Sequence, residues 1–241
     1  MEKQDIFAEL RDRVELSWRP RGYNNDLRSA ELNQRDVEVA KELVMKAFEG
    51  KTRKASGQPY DVHLLETEAL LVHSGYEDPV LRIAALLHDG PEDVPEIIPF
   101  ELIEQKFSGD VARLVRGVTK PNLPGQSWRD GWSNFINQIY NAEDDRVLIV
   151  EMADRNSNLR DALRNSYAQS GGRFVGPDFW RIYNTSSPRD QLWMYNEMLK
   201  VFDKRAKGRR SPLLDDYKQN VYALRDLIEG YDSAGFDSLG R

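Results

Sequence analysis

The chain has no cysteine among its 241 residues and only three histidines, His63, His73 and His88. The first absence excludes disulfides, thiolate nucleophiles and cysteine zinc sites, so any metal must be held by imidazole and carboxylate. No apolar run approaches the roughly twenty residues of a membrane span, and the N-terminal MEKQDIFAELRDRVELSWRP lacks an apolar signal core. The expectation is a soluble, cytoplasmic protein with no membrane partner. Positive charge is also short. A formal net charge of −6 argues against a nucleic-acid binder, whose affinity rests on Lys and Arg neutralising phosphates. Alternating strand patterns are scarce, and no internal repeat or low-complexity segment stands out.

What is present is helical periodicity. In RDVEVAKELVMKAF the apolar Val37, Ala40, Val44 and Ala47 recur at three and four residues and line one face. Similar periods run through VHLLETEALLVHSG, DPVLRIAALLHD, PFELIEQKF, GDVARLVRGV, NFINQIYNAEDDRVLIVEMADRNSNLRDALR, RDQLWMYNEMLKVFDKRA and LLDDYKQNVYALRDLIEG. With 40% hydrophobic residues the chain can fill one core. The pattern predicts an all-α domain over 36–230, an N-terminal extension over 1–35 and a C-terminal tail over 231–241. The longest irregular stretches are TKPNLPGQSW and NSYAQSGGRFVGPDFW, rich in Gly, Pro and polar residues.

LLHDGPEDVPE concentrates ionisable groups at the end of an apolar run. A helix over 79–89 buries Leu86 and Leu87 and leaves His88 and Asp89 at its C-terminal end, about 100° apart around the axis. Pro91 disfavours helix at Gly90, so Glu92 and Asp93 are expected on a short turn folded back. Alone, such a pair most often reads as a solvated helix end. Two other segments shift that reading. RKASGQPYDVH ends in His63 as a helix begins, and VLIVEMADRNSNLRDAL places Asp154 and Asn158 four residues apart on one face. Asp154 follows an apolar stretch, where an unpaired carboxylate is costly to bury, so it should have a cation. His63, His88, Asp89 and Asp154 form a mixed imidazole and carboxylate set, which suits Mn²⁺, Fe²⁺ or Zn²⁺ better than Ca²⁺.

RKASGQPYDVH, LLHDGPED, VRGVTK and MADRNSNLR stand in that order between residues 53 and 160. In that register the chain resembles the HD-domain metal phosphohydrolases, and among them the Rel/SpoT alarmone hydrolases, chiefly their small stand-alone members. The resemblance implies an all-α HD-domain helical bundle with a single-metal site. It puts the metal ligands on His63, His88, Asp89 and Asp154, and a catalytic acidic pair on Glu92 and Asp93, with Glu92 favoured as the base. Substrate contacts fall on Arg53, Lys54, Lys120 and Asn158. It implies one Mn²⁺ per chain, with other divalent transition metals compatible, and a small-molecule nucleotide as partner. Residues 90–153 contain no histidine, which favours one metal over two. The implied reaction removes the 3′-pyrophosphate from ppGpp or pppGpp, giving GDP or GTP. No synthetase domain is expected to follow, and a homo-oligomer is compatible with the sequence.

The departures from the family pattern are specific. Leu64 follows His63 where proline is usual, and Gly90-Pro91 replaces Thr-Val. Asn156-Ser157 replaces a Leu-His pair and is expected to touch substrate more than metal. Glu151 replaces a lysine and Asp161 a threonine, adding negative charge beside a phosphate site. That supports a second reading, an HD phosphohydrolase acting on a nucleoside monophosphate, another purine alarmone or NADPH. A third, a non-enzymatic sensor on a decayed fold, is opposed by the retained ligands and acidic pair. Elsewhere, His73 reads as a surface residue at a helix end, and KRAKGRR as a solvated turn in preference to a phosphate patch. Trp128, Trp132, Trp180 and Trp193 read as packing residues, and GGRFVGPDFW as either a lid or a plain loop.

Overall fold

The structure, a computed structural model, describes residues 27–170, 182 and 187–233. Among them are eleven helices: α1 Leu27–Glu31, α2 Gln34–Ala47, α3 Asp61–His73, α4 Pro79–Leu87, α5 Gly90–Asp93, α6 Phe100–Lys106, α7 Gly109–Val118, α8 Trp128–Asn141, α9 Asp145–Ser170, α10 Pro188–Ala206 and α11 Pro212–Ser233. The only β pairing among the described residues is an isolated bridge between Thr52 and Pro59. The all-α expectation holds. No helix among the described residues is long and apolar enough to cross a membrane. The lid candidate 171–180 with Trp180, residues 1–26 of the extension and residues 234–241 of the tail lie outside the described residues.

Local chemistry sets the helix ends. Asn33 forms a capping box with Asp36, and Asp78 accepts a hydrogen bond from the Val80 amide at 3.0 Å, ahead of Pro79 in the first turn. α2 buries Val37, Ala40, Val44 and Ala47, the residues its spacing predicts. The central element is α9, which packs against α3, α4, α7, α8, α10 and α11. Its Leu148, Ile149, Met152, Ala153 and Leu159 are fully buried, so a polar side chain on this helix is held by rigid surroundings.

The run from Asn134 to Arg164 reads as one periodic stretch but is broken at 142–144. Asp144 accepts from the Arg146 amide at 2.9 Å and so caps α9. The buried Arg146 guanidinium lies between Asp144 (2.8 Å) and Asp110 (3.4 Å), and Arg113 bonds both carboxylates. A buried cation needs such pairing, and here it ties the start of α7 to the start of α9. In KRAKGRR, Arg205 donates to Tyr140 O, Ala142 O and Asp145 Oδ1, while Lys204 sits over the Tyr140 ring. This basic segment therefore clips the α8–α9 connection. Within the segment read as an extension, α1 meets α7 through a 3.0 Å Ser29–Ser108 hydroxyl contact.

α4 ends at Leu87, two residues before the expected boundary. His88 and Asp89 keep right-handed helical backbone, and the chain enters the single turn α5. Pro91 lies in the first turn of α5, where its missing N–H costs no hydrogen bond. Gly90 is required by packing, because a Cβ there would meet Ile98 Cγ2 at 2.6 Å and Ile98 Cβ at 2.9 Å. Gly90→Ala is expected to destabilise the fold by about 1–3 kcal/mol in urea titration. Combined with Ile98→Ala, it should cost less than the sum of the two single changes, since both act on one contact. Strict additivity would contradict the steric account. Gly117 plays a similar part on α7: a Cβ there would approach Val147 Cγ2 at 2.7 Å, so it lets α7 lie close against α9.

Candidate metal centre and adjoining cleft

Three elements bring the clustered groups together. A tight loop, with Arg53 N donating to Gln58 O (2.8 Å) and Tyr60 N to Lys51 O (2.9 Å), leads into α3 and its first-turn His63. The α4–α5 junction supplies His88 and Asp89, and the middle of α9 supplies Asp154. His63, His88 and Asp154 offer ligand atoms within 4.8 Å of one another. His63 Nε2 lies 3.1 Å from Asp154 Oδ1 and 3.5 Å from Asp89 Oδ2, while His88 Nε2 lies 3.4 Å and 3.2 Å from the same two oxygens. All four sequence candidates for metal ligation therefore converge. Asp89, with its side chain 17% exposed against 3% or less for the others, is the one on the open side.

The histidine tautomers fit a cation. His88 Nδ1 is 2.8 Å from the Ala85 carbonyl, which can only accept, so the ring proton belongs on Nδ1. In the neutral ring, Nε2 then carries a lone pair aimed into the cluster, where it is buried without a hydrogen-bond partner. An orphaned buried acceptor facing two carboxylates is what a divalent cation satisfies. His63 is arranged likewise, with Nδ1 2.9 Å from Ser157 Oγ and Nε2 in the cluster. Tyr60 donates to Asp89 Oδ2 at 2.8 Å, and Asn158 Nδ2 to Asp154 Oδ1 at 2.6 Å.

The charges are strongly coupled. Burial opposes ionisation of Asp154, but neighbouring Arg155 and His88 outweigh it and hold the carboxyl well below its ordinary value. Burial likewise works against Asp89, and His88 and His63 reverse it. Burial disfavours a charged His88, yet Asp89 and Asp154 draw its proton affinity well up. The cluster thus attracts positive charge.

On α5, Glu92 and Asp93 directly follow the His88–Asp89 pair, each with part of its surface open to solvent. Surrounding protein withdraws enough water that burial, followed by the Asp89 charge, pushes Glu92 up to about 7, against the opposing Lys120 amide. That amide donates to Glu92 Oε1 at 2.7 Å, so the VRGVTK segment reaches the acidic pair. Asp93 is also raised by burial and Asp89, while Lys51 Nζ grips the Asp93 carbonyl.

Beside the cluster is a cavity of about 270 Å³ whose walls include Lys54, Lys120, Trp128, Trp132, Arg155 and Asn158, with Gln191, Met194 and Tyr195 from α10. Lys120 Nζ and Arg155 Cζ lie 5.6 and 5.2 Å from the Trp132 ring centroid. Trp128 and Trp132 both line this cavity and pack together, and Trp128 also meets Trp193. Arg53 sits behind the wall. Its Nε donates to Asp161 Oδ2 and its Nη2 to Asn158 Oδ1, each at 3.0 Å.

Several substitutions that stood out in the sequence lie elsewhere than expected. Ser157 is fully buried against His63, and Asn156 bonds Asp216 and Asn220 on α11, so neither faces the cavity. Helix geometry explains this, because Arg155 and Asn158, about one turn apart on α9, line the cavity and the two residues between them turn away from it. Asp161 is neutralised by Arg53, and Glu151 is buried with Arg155 Nε 3.0 Å away, its carboxyl pushed up by that burial. Neither presents a bare charge to the cavity. His73 is exposed at the end of α3, as expected. Arg155, Tyr60 and Glu66 were not singled out, and Ser157, read towards substrate, instead supports His63. Arg155 had a signal, a cation directly after the Asp that needed one, whereas the Ser157 to Glu66 pairing spans helices distant in sequence.

A family model described as an HD domain matches residues 40–172. A guanosine-3′,5′-bis(diphosphate) 3′-pyrophosphohydrolase of Aquifex aeolicus is 34% identical over 166 residues, covering 68% of this chain and 22% of that protein. One of the same name from Spiroplasma citri is 34% identical over 133 residues, covering 54% and 17%. The chain thus spans about a fifth of the length of these curated relatives. A solved structure, described as a metazoan ortholog of SpoT that hydrolyzes ppGpp and plays a role in starvation responses, superposes with a TM-score of 0.62. It is 21% identical and covers 81% of this chain and 98% of its own, a likeness of fold.

Proposed function

We propose, from the premise that this chain belongs to the HD-domain family, that it is a metal-dependent phosphohydrolase removing the 3′-pyrophosphate from ppGpp or pppGpp. The observation that carries the reading is one arrangement: two histidines and two aspartates converge, with an acidic pair and a basic, aromatic cavity beside them. The relatives named 3′-pyrophosphohydrolase support this choice of substrate. His63, His88, Asp89 and Asp154 would hold one divalent ion, for which the donor set suits Mn²⁺, Fe²⁺ or Zn²⁺ and the family resemblance favours Mn²⁺. Such an ion acidifies a coordinated water and polarises a phosphoryl oxygen.

The side chains divide the remaining work. Glu92 Oε1 is held by the Lys120 amide, which leaves Oε2 to accept the proton of the attacking water. A carboxyl with a pKa near neutrality is suited to that exchange. Asp93 beside it orients that water, and the proton Glu92 takes up returns to the departing 3′ oxygen. Lys54, Lys120 and Arg155 offer positive charge to the nucleotide phosphates. Lys54 and Asn158, which line the cavity, contact the nucleoside, while Arg53, set for the base by the family resemblance, lies behind them and holds Asn158 and Asp161 in place.

Purified protein with Mn²⁺ is expected to convert ppGpp to GDP and pyrophosphate and to leave GDP and GTP intact, read by anion-exchange chromatography. The discrimination follows from position, since a nucleotide without a 3′-phosphate puts no phosphorus beside the cluster. Orthophosphate release from nucleoside monophosphates, with ppGpp untouched, would transfer the protein to the other HD reading.

A further inference from the structure

We infer that Ser157 and Glu66 are positioning residues that fix the tautomer and orientation of His63 and so set the affinity of the centre for its cation; this rests on the metal reading proposed above. The relay has a definite direction. Glu66 accepts from both Arg164 Nη1 (3.0 Å) and Nη2 (3.2 Å), and Ser157 Oγ donates to Glu66 Oε2 at 2.7 Å. An ionised carboxylate can only accept, so the single Ser157 proton is committed to Glu66. The Ser157 oxygen, 2.9 Å from His63 Nδ1, must then accept from that nitrogen. The ring proton is thereby held on Nδ1, and Nε2 presents its lone pair to Asp154 and Asp89. Burial works against the Glu66 charge, but the Arg164 and Ser157 hydrogen bonds outweigh it and keep the carboxyl below its ordinary value.

The placement is systematic. Glu66 lies one helical turn beyond His63 on α3, and Ser157 one turn beyond Asp154 on α9. Each helix therefore supplies one ligand and, on its next turn, one member of the supporting pair. The two ligand histidines are supported differently: a neutral backbone carbonyl holds His88, whereas a hydroxyl backed by an anion holds His63. An acceptor backed by negative charge makes the imidazole a stronger ligand.

Mn²⁺ titration by calorimetry on the metal-free full chain tests this without recourse to turnover. Ser157→Ala is expected to weaken Mn²⁺ binding by about 10–100-fold, and Glu66→Gln by about 10-fold. Because the two act in series, adding Glu66→Gln to Ser157→Ala should bring no further loss. A Ser157→Ala dissociation constant within about twofold of the parent, or strictly additive losses in the double variant, would leave only a tie between α3 and α9 and overturn the inference. Should Ser157→Ala fail to fold, Glu66→Gln decides alone, and unchanged affinity there refutes it. A parent chain that binds no Mn²⁺ would remove the metal reading itself, a result distinct from parent binding that the variants leave untouched.

Discussion

Glu92→Gln is expected to lower kcat for ppGpp by about 10²–10⁴-fold, the range for loss of a general base. Glutamine keeps the shape and can still accept the Lys120 amide bond through its carbonyl oxygen, so the loop contact survives. What it cannot do is take a proton. Mn²⁺ and nucleotide affinities should therefore stay close to those of the parent, and the loss should appear in kcat and kcat/KM alike. The pH profile gives an independent reading. Burial and the Asp89 charge raise Glu92 above its ordinary value, so in the parent a proton occupies the base as pH falls through the raised pKa, and the rate declines. A cation among the ligands counters the Asp89 charge and moves that limb to lower pH without changing its direction. The acid limb assigned to Glu92 should be missing from the glutamine variant. An unchanged kcat with an intact acid limb would assign the proton transfer elsewhere.

Asp154→Asn should have the largest effect of any conservative change. Its Oδ1 is the oxygen 3.1 Å from His63 Nε2 and 3.4 Å from His88 Nε2, and Arg155 grips its other oxygen. Asparagine removes the ligand charge and leaves the half-buried Arg155 with the reluctant Glu151 carboxyl as its remaining ion-pair partner. The parent is expected to hold one Mn²⁺ per chain by elemental analysis, and the variant close to none. Turnover should fall by about three orders of magnitude or more, matching the several kcal/mol that a Lewis acid contributes to phosphoryl transfer. Stoichiometric Mn²⁺ in the variant, or two ions per chain in the parent, would break the single-ion assignment.

Much of this centre was legible in the sequence because its candidate ligands sit at helix ends and on one helix face, positions that local pattern specifies. His63 opens α3, His88 and Asp89 join α4 to α5, and the four-residue spacing of Asp154 and Asn158 appears as a 2.6 Å hydrogen bond. The broken run at 142–144 was harder. Periodicity continues across the gap, and the break depends on Asp144 capping α9 while its carboxylate also meets Arg146 and Arg113. The charges at Glu151 and Asp161 misled for a related reason. A sequence counts them as negative, but burial beside Arg155 and pairing with Arg53 decide what a ligand would feel. Ser157 belongs to the same class, since its partner Glu66 lies on another helix.

The cluster draws its donors from the first turn of α3, the junction after α4 and the middle of α9. A cation bound to all of them joins three points far apart along the chain and acts as a removable cross-link. The ordered loops between those points are closed in the folded state in any case, but with the ion bound, opening any one of them must break coordinate bonds. Global unfolding then becomes linked to cation activity, because the folded chain binds the ion far better than the scattered unfolded ligands can. The ion that would serve the proposed chemistry would in this sense be a component of the core, and depletion of divalent metal would lower the persistence of the fold along with the proposed activity.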